Sequence, residues 1–174
     1  MAKSKSISVE INGVEGLLSQ LDNIVDSVES TTPYVLEQVT LKIRELAIIL
    51  APVNDGQLRN SIKRDVYMQD GEYIGKTYVD INDVPYAMYV YYGTGEYAKI
   101  PNKNKKSWIV HESQFAKDIS KYSFTELGNG YYVVKGQEAK PFLEWAMANS
   151  KLANIDIVKD EVKLAIERCL WCMN

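Results

Sequence analysis

A chain of 174 residues is one domain of ordinary size, and with 46% apolar and 25% charged residues it can bury a core, so wholesale disorder is excluded. A formal net charge of −3 gives no overall pull toward polyanions, and a single histidine excludes any mechanism that needs two. The two cysteines cannot staple a secreted scaffold, no apolar run approaches the roughly 20 residues that span a bilayer, and Met1-Ala2-Lys3-Ser4-Lys5 leads into no apolar signal stretch, so production in a reducing cytoplasm is expected.

Ile7, Val9 and Ile11 alternate with Ser8 and Glu10, which predicts a short first strand ended by Asn12-Gly13. Leu17, Leu18, Leu21, Ile24, Val25 and Val28 follow at helical spacing. Thr31-Thr32-Pro33 is expected to end that helix and open another, with a threonine hydroxyl as cap and the proline in the first turn. The second helix carries Leu36, Val39, Ile43, Leu46, Ala47 and Leu50, and it stops at Ala51-Pro52 because proline disfavours helical geometry in the residue before it. Asn54-Asp55-Gly56 reads as a turn, with Asp55 placed to cap one helical turn through Leu58 and Arg59. Ile62 to Gln69 and Glu72 to Ile81 read as two strands joined at Asp70-Gly71, a strong hairpin signal.

Pro85 opens the segment Tyr86-Ala87-Met88-Tyr89-Val90-Tyr91-Tyr92, read as a short helix, and Gly93-Thr94-Gly95 closes it. On a helix Tyr89 and Tyr92 share a face while Tyr91 points elsewhere, so one face is expected to pack inward and the other to stay exposed. Ile100 to Lys106 reads as an exposed basic loop. Ser107 to His111 and Tyr131 to Lys135 read as strands, with no defined element between them. Pro141 is expected to start a helix through Phe142, Leu143, Ala146 and Met147, followed by a last amphipathic helix carrying Ile155, Val158, Val162, Ala165, Ile166 and Cys169. Helices first, a hairpin sheet in the middle and helices last predict one α+β domain over residues 1–174.

The motifs of chemistry are few. His111, beside Glu112 at a strand end, reads as an ordinary surface or half-buried residue. No Gly-x-Ser-x-Gly elbow and no Walker phosphate loop occurs, and Gly93-Thr94-Gly95 lacks the further glycine and the strand-to-helix setting of a phosphate cradle. Cys169-Leu170-Trp171-Cys172 has redox or zinc spacing, but a structural zinc needs four ligands and a redox motif opens a helix rather than closing a chain. No catalytic, metal or cofactor set is assigned. Five of the twelve tyrosines, Tyr86, Tyr89, Tyr91, Tyr92 and Tyr97, fall close together. Tyrosine has a large apolar face and a polar tip and is enriched where proteins meet, so the cluster reads equally as core packing and as a subunit interface. Lys99, Lys103, Lys105 and Lys106 add a positive patch nearby, either a solvated loop or a face for an acidic partner or passing DNA.

Three blocks resemble a known family. They are Ala51-Pro52-Val53-Asn54-Asp55-Gly56-Gln57-Leu58-Arg59-Asn60-Ser61-Ile62 after a long helix, Tyr86-Ala87-Met88-Tyr89-Val90-Tyr91-Tyr92-Gly93-Thr94-Gly95, and Gly136-Gln137-Glu138-Ala139-Lys140-Pro141-Phe142-Leu143. In order and spacing the chain resembles, over about residues 13 to 170, the head–tail joining or tail-completion proteins of long-tailed bacteriophages, related to the minor tail protein Z type. The resemblance implies a virion component made in the host bacterial cytoplasm, not an enzyme, with no cofactor and no membrane partner. It implies a homo-oligomeric ring, six-fold by analogy, between the head connector or stopper and the tail terminator or tail tube, with DNA only as cargo in the channel. Ring subunits use two different surfaces that close by rotation. Gly56, Gly93 and Thr94 are then expected at turns, and Pro52, Leu58, Pro141 and Phe142 in the fold. Tyr89, Tyr91, Tyr92 and the Lys99–Lys106 loop are the candidates for subunit or channel contacts. The chain has Tyr91 where the family often has Glu or His, and residues 96 to 135 make a longer excursion. Two other classes compete with this reading: a single-stranded nucleic-acid binder that stacks bases on tyrosines beside lysines, and a small hydrolase with a carboxylate pair.

Overall fold

The structure, a computed structural model, describes residues 14–53, 56–99, 106–115 and 124–172. The expected first strand at Ile7–Ile11, the Asn54-Asp55 turn and cap, and residues 100–105 with Lys103 and Lys105 lie outside the described residues.

One helix, α1 (Val14–Leu50), stands where two were expected, with Pro33 inside it. A proline in a helix interior costs about 3 kcal/mol, through the missing N–H and the clash of its ring with the preceding turn. Packing overrides that penalty. Val28, Thr32, Val35 and Val39 continue the apolar spacing in register across the proline, and a second long helix, α4 (Phe142–Cys172), packs along α1. The threonine hydroxyls expected to cap a new helix turn back into the old one: Thr31 donates to the Ser27 carbonyl at 2.9 Å and Thr32 to the Val28 carbonyl at 3.2 Å, and Ser30 likewise donates to the Ser27 carbonyl at 2.9 Å.

α4 is also one helix where two were expected. Asn149, Ser150 and Asn154 hide its periodicity, yet Ser150 is fully buried; it donates to the Met147 carbonyl at 3.1 Å and accepts from Asn154 Nδ2 at 2.9 Å. Pro141 sits just before the helix and its carbonyl accepts from the Trp145 N–H at 3.0 Å, so the proline opens α4 without losing a donor. The two helices run antiparallel. Ala47 and Ala146 share the core at one end, and the Ser27 hydroxyl donates to the Ala165 carbonyl at 3.1 Å toward the other.

Strands β1 (Ile62–Gln69) and β2 (Glu72–Val79) pair antiparallel from Ile62↔Val79 to Gln69↔Glu72. Asp70 and Gly71 both have positive φ, 52° and 85°, the geometry of a two-residue hairpin turn. One face of the hairpin lies on α1. Thr77 donates to the Thr40 carbonyl at 3.3 Å, Arg44 Nε donates to the Ile62 carbonyl at 2.8 Å, and a Cβ on Gly75 would stand 2.8 Å from Thr40 Cγ2. A one-turn helix, α2 (Gln57–Asn60), precedes the hairpin and a short helix, α3 (Ala87–Tyr92), follows it.

Beyond α3 lies a separate three-stranded antiparallel sheet of order β3-β5-β4, formed by β3 (Trp108–His111), β4 (Thr125–Gly128) and β5 (Tyr131–Val134). Strand β4 occupies the stretch for which no element was expected. Its turn into β5, Asn129-Gly130 with φ of 52° and 74°, is again a two-residue hairpin. Phe115, Phe124 and Tyr132 pack on one another with ring centroids 5.2–6.5 Å apart and give this sheet a small core of its own. The fold is α+β: a long N-terminal helix, an antiparallel hairpin and a long C-terminal helix.

Candidate subunit interface

The three sequence blocks meet in one place. Ala51, Leu58 and Ile62 of the first, Ala87 of the second and Phe142 of the third are buried together with Ala47, Val84 and Ala146. Phe142 and Ile62 are fully enclosed. Arg59 supports this junction from outside: its Nε and Nη2 donate to the Ala51 carbonyl at 3.2 and 3.1 Å, and Nη2 also reaches the Ile49 carbonyl at 3.3 Å. A guanidinium on the last carbonyls of α1 satisfies acceptors that the helix leaves free and opposes its negative pole. Gly56, at φ 86°, turns the chain into α2 with no side-chain cap. Pro52, half-buried, lines a recess of about 490 Å³ together with Leu58, Tyr86, Val90 and Lys140.

The second and third blocks cross each other backbone to backbone. Thr94 N–H donates to the Gln137 carbonyl at 3.0 Å, Glu96 N–H to the Lys135 carbonyl at 2.8 Å, and Lys140 N–H to the Val90 carbonyl at 3.0 Å. Gln137 returns two more bonds, from its N–H to Thr94 Oγ1 at 3.0 Å and from Nε2 to the Tyr89 carbonyl at 2.8 Å. Glycine is required at this crossing. Gly93 has φ 73°, and a Cβ there would stand 2.8 Å from the Ala139 nitrogen and the Gln137 oxygen; a Cβ on Gly136, at φ 104°, would overlap the Thr94 carbonyl. The Gly93-Thr94-Gly95 turn is therefore a packing device, with the Thr94 amide already engaged.

This crossing fixes the tyrosine helix. Tyr91 points inward, edge-on to Phe142 with centroids 5.6 Å apart and edge-on to Tyr92 at 5.0 Å. Burial first, then the neighbouring Glu144 carboxylate, pushes the Tyr91 phenol up to about 12. Tyr91 is thus a ring built into the core junction. Tyr89 is 58% exposed, with Tyr86, Met88 and Tyr92 exposed around it. Lys99 N–H donates to the Tyr92 carbonyl at 2.8 Å, which brings one exposed lysine beside the aromatic surface; Lys106 is exposed before β3.

No family model, curated protein or solved structure matches the chain.

Two further residues singled out in the sequence have structural settings. The His111 ring accepts from the Ser113 N–H at 3.3 Å, caps a short 3₁₀ turn (Glu112–Gln114) and packs edge-on against Tyr131 at 4.9 Å. Cys169 is half-buried and Cys172 exposed, both as free thiols. Among the described residues no three His, Cys, Asp or Glu side chains gather as metal ligands, and no helix is long and apolar enough to cross a membrane. The tightest charged group is Lys63 between Asp80 at 2.7 Å and Asp83 at 3.0 Å. Hydrogen bonds to both carboxylates raise the Lys63 ammonium above its ordinary value, and the bond from Lys63 is the main cause that lowers Asp80. This group lies on the outer hairpin face and clamps β1 to the segment after β2.

A second uncovered apolar surface was not singled out in the sequence. The outer halves of α1 and α4 form an arm on which Leu17, Leu18, Leu21 and Val25 are about half exposed and Trp171 is 86% exposed. Amphipathic spacing revealed the α1 residues of this surface but not their exposure, because a stripe that packs inward and a stripe that awaits a partner share the same periodicity.

Proposed function

We propose that this chain is a non-enzymatic structural subunit of a bacteriophage neck or tail, assembling into a ring that joins the head connector to the tail or completes the tail. The observation that carries the reading is that one small chain keeps two separate apolar surfaces uncovered, the tyrosine surface on α3 and the arm of α1 and α4. A subunit in a closed ring needs two different adhesive surfaces of this kind. The meeting of all three family-like blocks at one buried junction supports the same reading, since it gives each block a shared structural task. The rival stacking platform has less support: Tyr91 is turned onto Phe142 and Tyr92 packs edge-on against Tyr91, so Tyr89 is the most exposed ring of the three.

Deleting the gene should leave lysates with separate filled heads and separate or aberrant tails, seen by electron microscopy, while DNA replication proceeds. Normal joined particles would refute the assignment. At the level of single residues, Tyr91→Ala should lower the melting temperature of the protein. Tyr89→Ala should melt like the parent yet weaken incorporation into particles by roughly 1–2 kcal/mol, the scale of a modest interface aromatic.

A further inference from the structure

We infer that the arm of α1 and α4 is a docking face for a second copy of this chain, the acidic leucine stripe of α1 in one copy entering the lysine-bordered groove beside α4 in the next. The inference rests on the ring-subunit reading and deepens it by naming one of the two contacts.

Behind Phe142, the side chains that α4 buries are small ones, Ala146, Ser150 and Ala165. Small residues let the helices approach closely and push the larger apolar side chains of α4 to the flank. Ile155 and Val158 remain 40% and 41% exposed there. With Val35, Val39 and Met147 they line an open groove of about 640 Å³. It continues past Val158 and Lys159 into a second hollow of about 540 Å³ that reaches Ile166. Val158 and Val162 follow Ile155 at steps of three and four, the seam that accepts another helix. Lysines border it: Lys151, Lys159 and Lys163. Among the described residues that line it, the one carboxylate, Glu167, stands 3.8 Å from Lys163.

The complementary surface is on the same chain. Residues 14–41 contain Glu15, Asp22, Asp26, Glu29 and Glu37 and no lysine or arginine. Among those carboxylates, Leu18, Leu21 and Val25 stand exposed at steps of three and four, matching the spacing in the groove. A chain cannot place this stripe in its own groove. Seven-residue steps from Leu18 through Val25 and Thr32 to Val39 put the stripe on the same side of α1 as the groove, facing outward with it. Acidic against basic, and leucine against valine and isoleucine, the two surfaces satisfy each other only between copies. The contact leaves the tyrosine surface free for the other side of the ring.

The test uses the full chain and sedimentation across concentration, at low and high salt. One variant carries Lys151→Glu, Lys159→Glu and Lys163→Glu; the other carries Asp22→Lys, Asp26→Lys and Glu29→Lys. These side chains are exposed, so each variant should melt like the parent. The parent should self-associate, more weakly as salt rises. Each triple variant should associate at least about tenfold more weakly, because reversal places like charges together at the contact. An equimolar mixture should recover the parent's association, since each reversed surface then meets its complement. Three results would overturn the proposal: triple variants that associate like the parent, a mixture that does not recover, or a parent that is monomeric at every concentration. If association survives the charge reversals but is lost in Tyr89→Ala, the arm contact fails while the ring reading stands. If the charge swap behaves as expected but gene deletion still yields joined particles, the neck assignment fails and the arm contact stands.

Discussion

The junction of the three blocks and the helical arm are built on opposite plans. At the junction, segments more than forty residues apart are tied by backbone hydrogen bonds through Thr94, Gln137 and Lys140, and two glycines permit a crossing that no side chain would allow. In the arm, the outer halves of two helices rest on each other, and large apolar side chains face outward on both. The junction therefore demands particular residues at particular positions, while the arm demands only a periodic pattern and leaves its surface free to vary with the partner. Mutations should separate the two regions cleanly. The largest effect belongs to Phe142→Ala, which empties a fully enclosed site against Tyr91 and should cost about 3–5 kcal/mol in chemical denaturation. A loss below about 1 kcal/mol would mean that the junction is not the stabilising centre of the fold.

The next effect runs the other way and concerns the boundary between the regions. Pro33→Ala restores a donor to the α1 ladder and removes the ring's clash, so it should raise stability, by up to about 3 kcal/mol at the limit of the proline penalty. A thermal melt reads this directly. If the variant melts lower, the proline is better accommodated than helix geometry allows, and a bend at that point shapes the arm. Leu21→Ala, in the arm, should change stability by less than about 1 kcal/mol, because its side chain is half exposed in the monomer. Its effect should appear in sedimentation instead.

The same contrast explains what the sequence disclosed. The β1–β2 hairpin was legible to the residue at its turn because Asp70-Gly71 supplies two positive φ values, a local requirement with a local signature. The helix of α3 was expected as well, although the periodicity of Tyr86 to Tyr92 suits a strand equally, and the glycines after it marked the turn. The β4–β5 hairpin carries a similar signal in Asn129-Gly130, but β4 is only Thr125–Gly128, breaks register between Glu126 and Gly128, and has no clean alternation to announce it. Both long helices were read as broken. Pro33 and the polar run at Asn149, Ser150 and Asn154 are local stop signals, whereas what keeps the helices continuous is the contact between them, 138 residues apart at Ser27 and Ala165. The candidate surface was half legible. Clustering drew attention to the tyrosines and alternate facing on a helix separated Tyr91 from Tyr89, but that Phe142 sits against Tyr91 depends on a third segment. Arg59 as the cap of α1 was missed for the same reason, since its acceptors belong to the preceding helix end.

The smallest effect at neutral pH is also the most diagnostic of the junction. Tyr91→Phe keeps the ring against Phe142 and removes the phenol beside Glu144, so stability near pH 7 should change by no more than about 1 kcal/mol, one ordinary hydrogen bond. Alkaline pH separates the two proteins. Because burial and Glu144 raise the folded-state value of the phenol from 10.0 to about 12, the folded state favours the protonated ring more than the unfolded chain does. That contribution is fully present below the unfolded value and is lost as pH rises through the folded one. Between about pH 10 and 12 the parent should lose stability more steeply than Tyr91→Phe. Part of the loss should persist in the variant, because Tyr78, hydrogen-bonded to Asp65, and Tyr132, through burial, are raised as well. Melting curves taken across that range decide the point. Parallel declines in the two proteins would mean that the phenol ionises as freely in the folded state as in water, and that the junction is looser around Tyr91 than its packing on Phe142 requires.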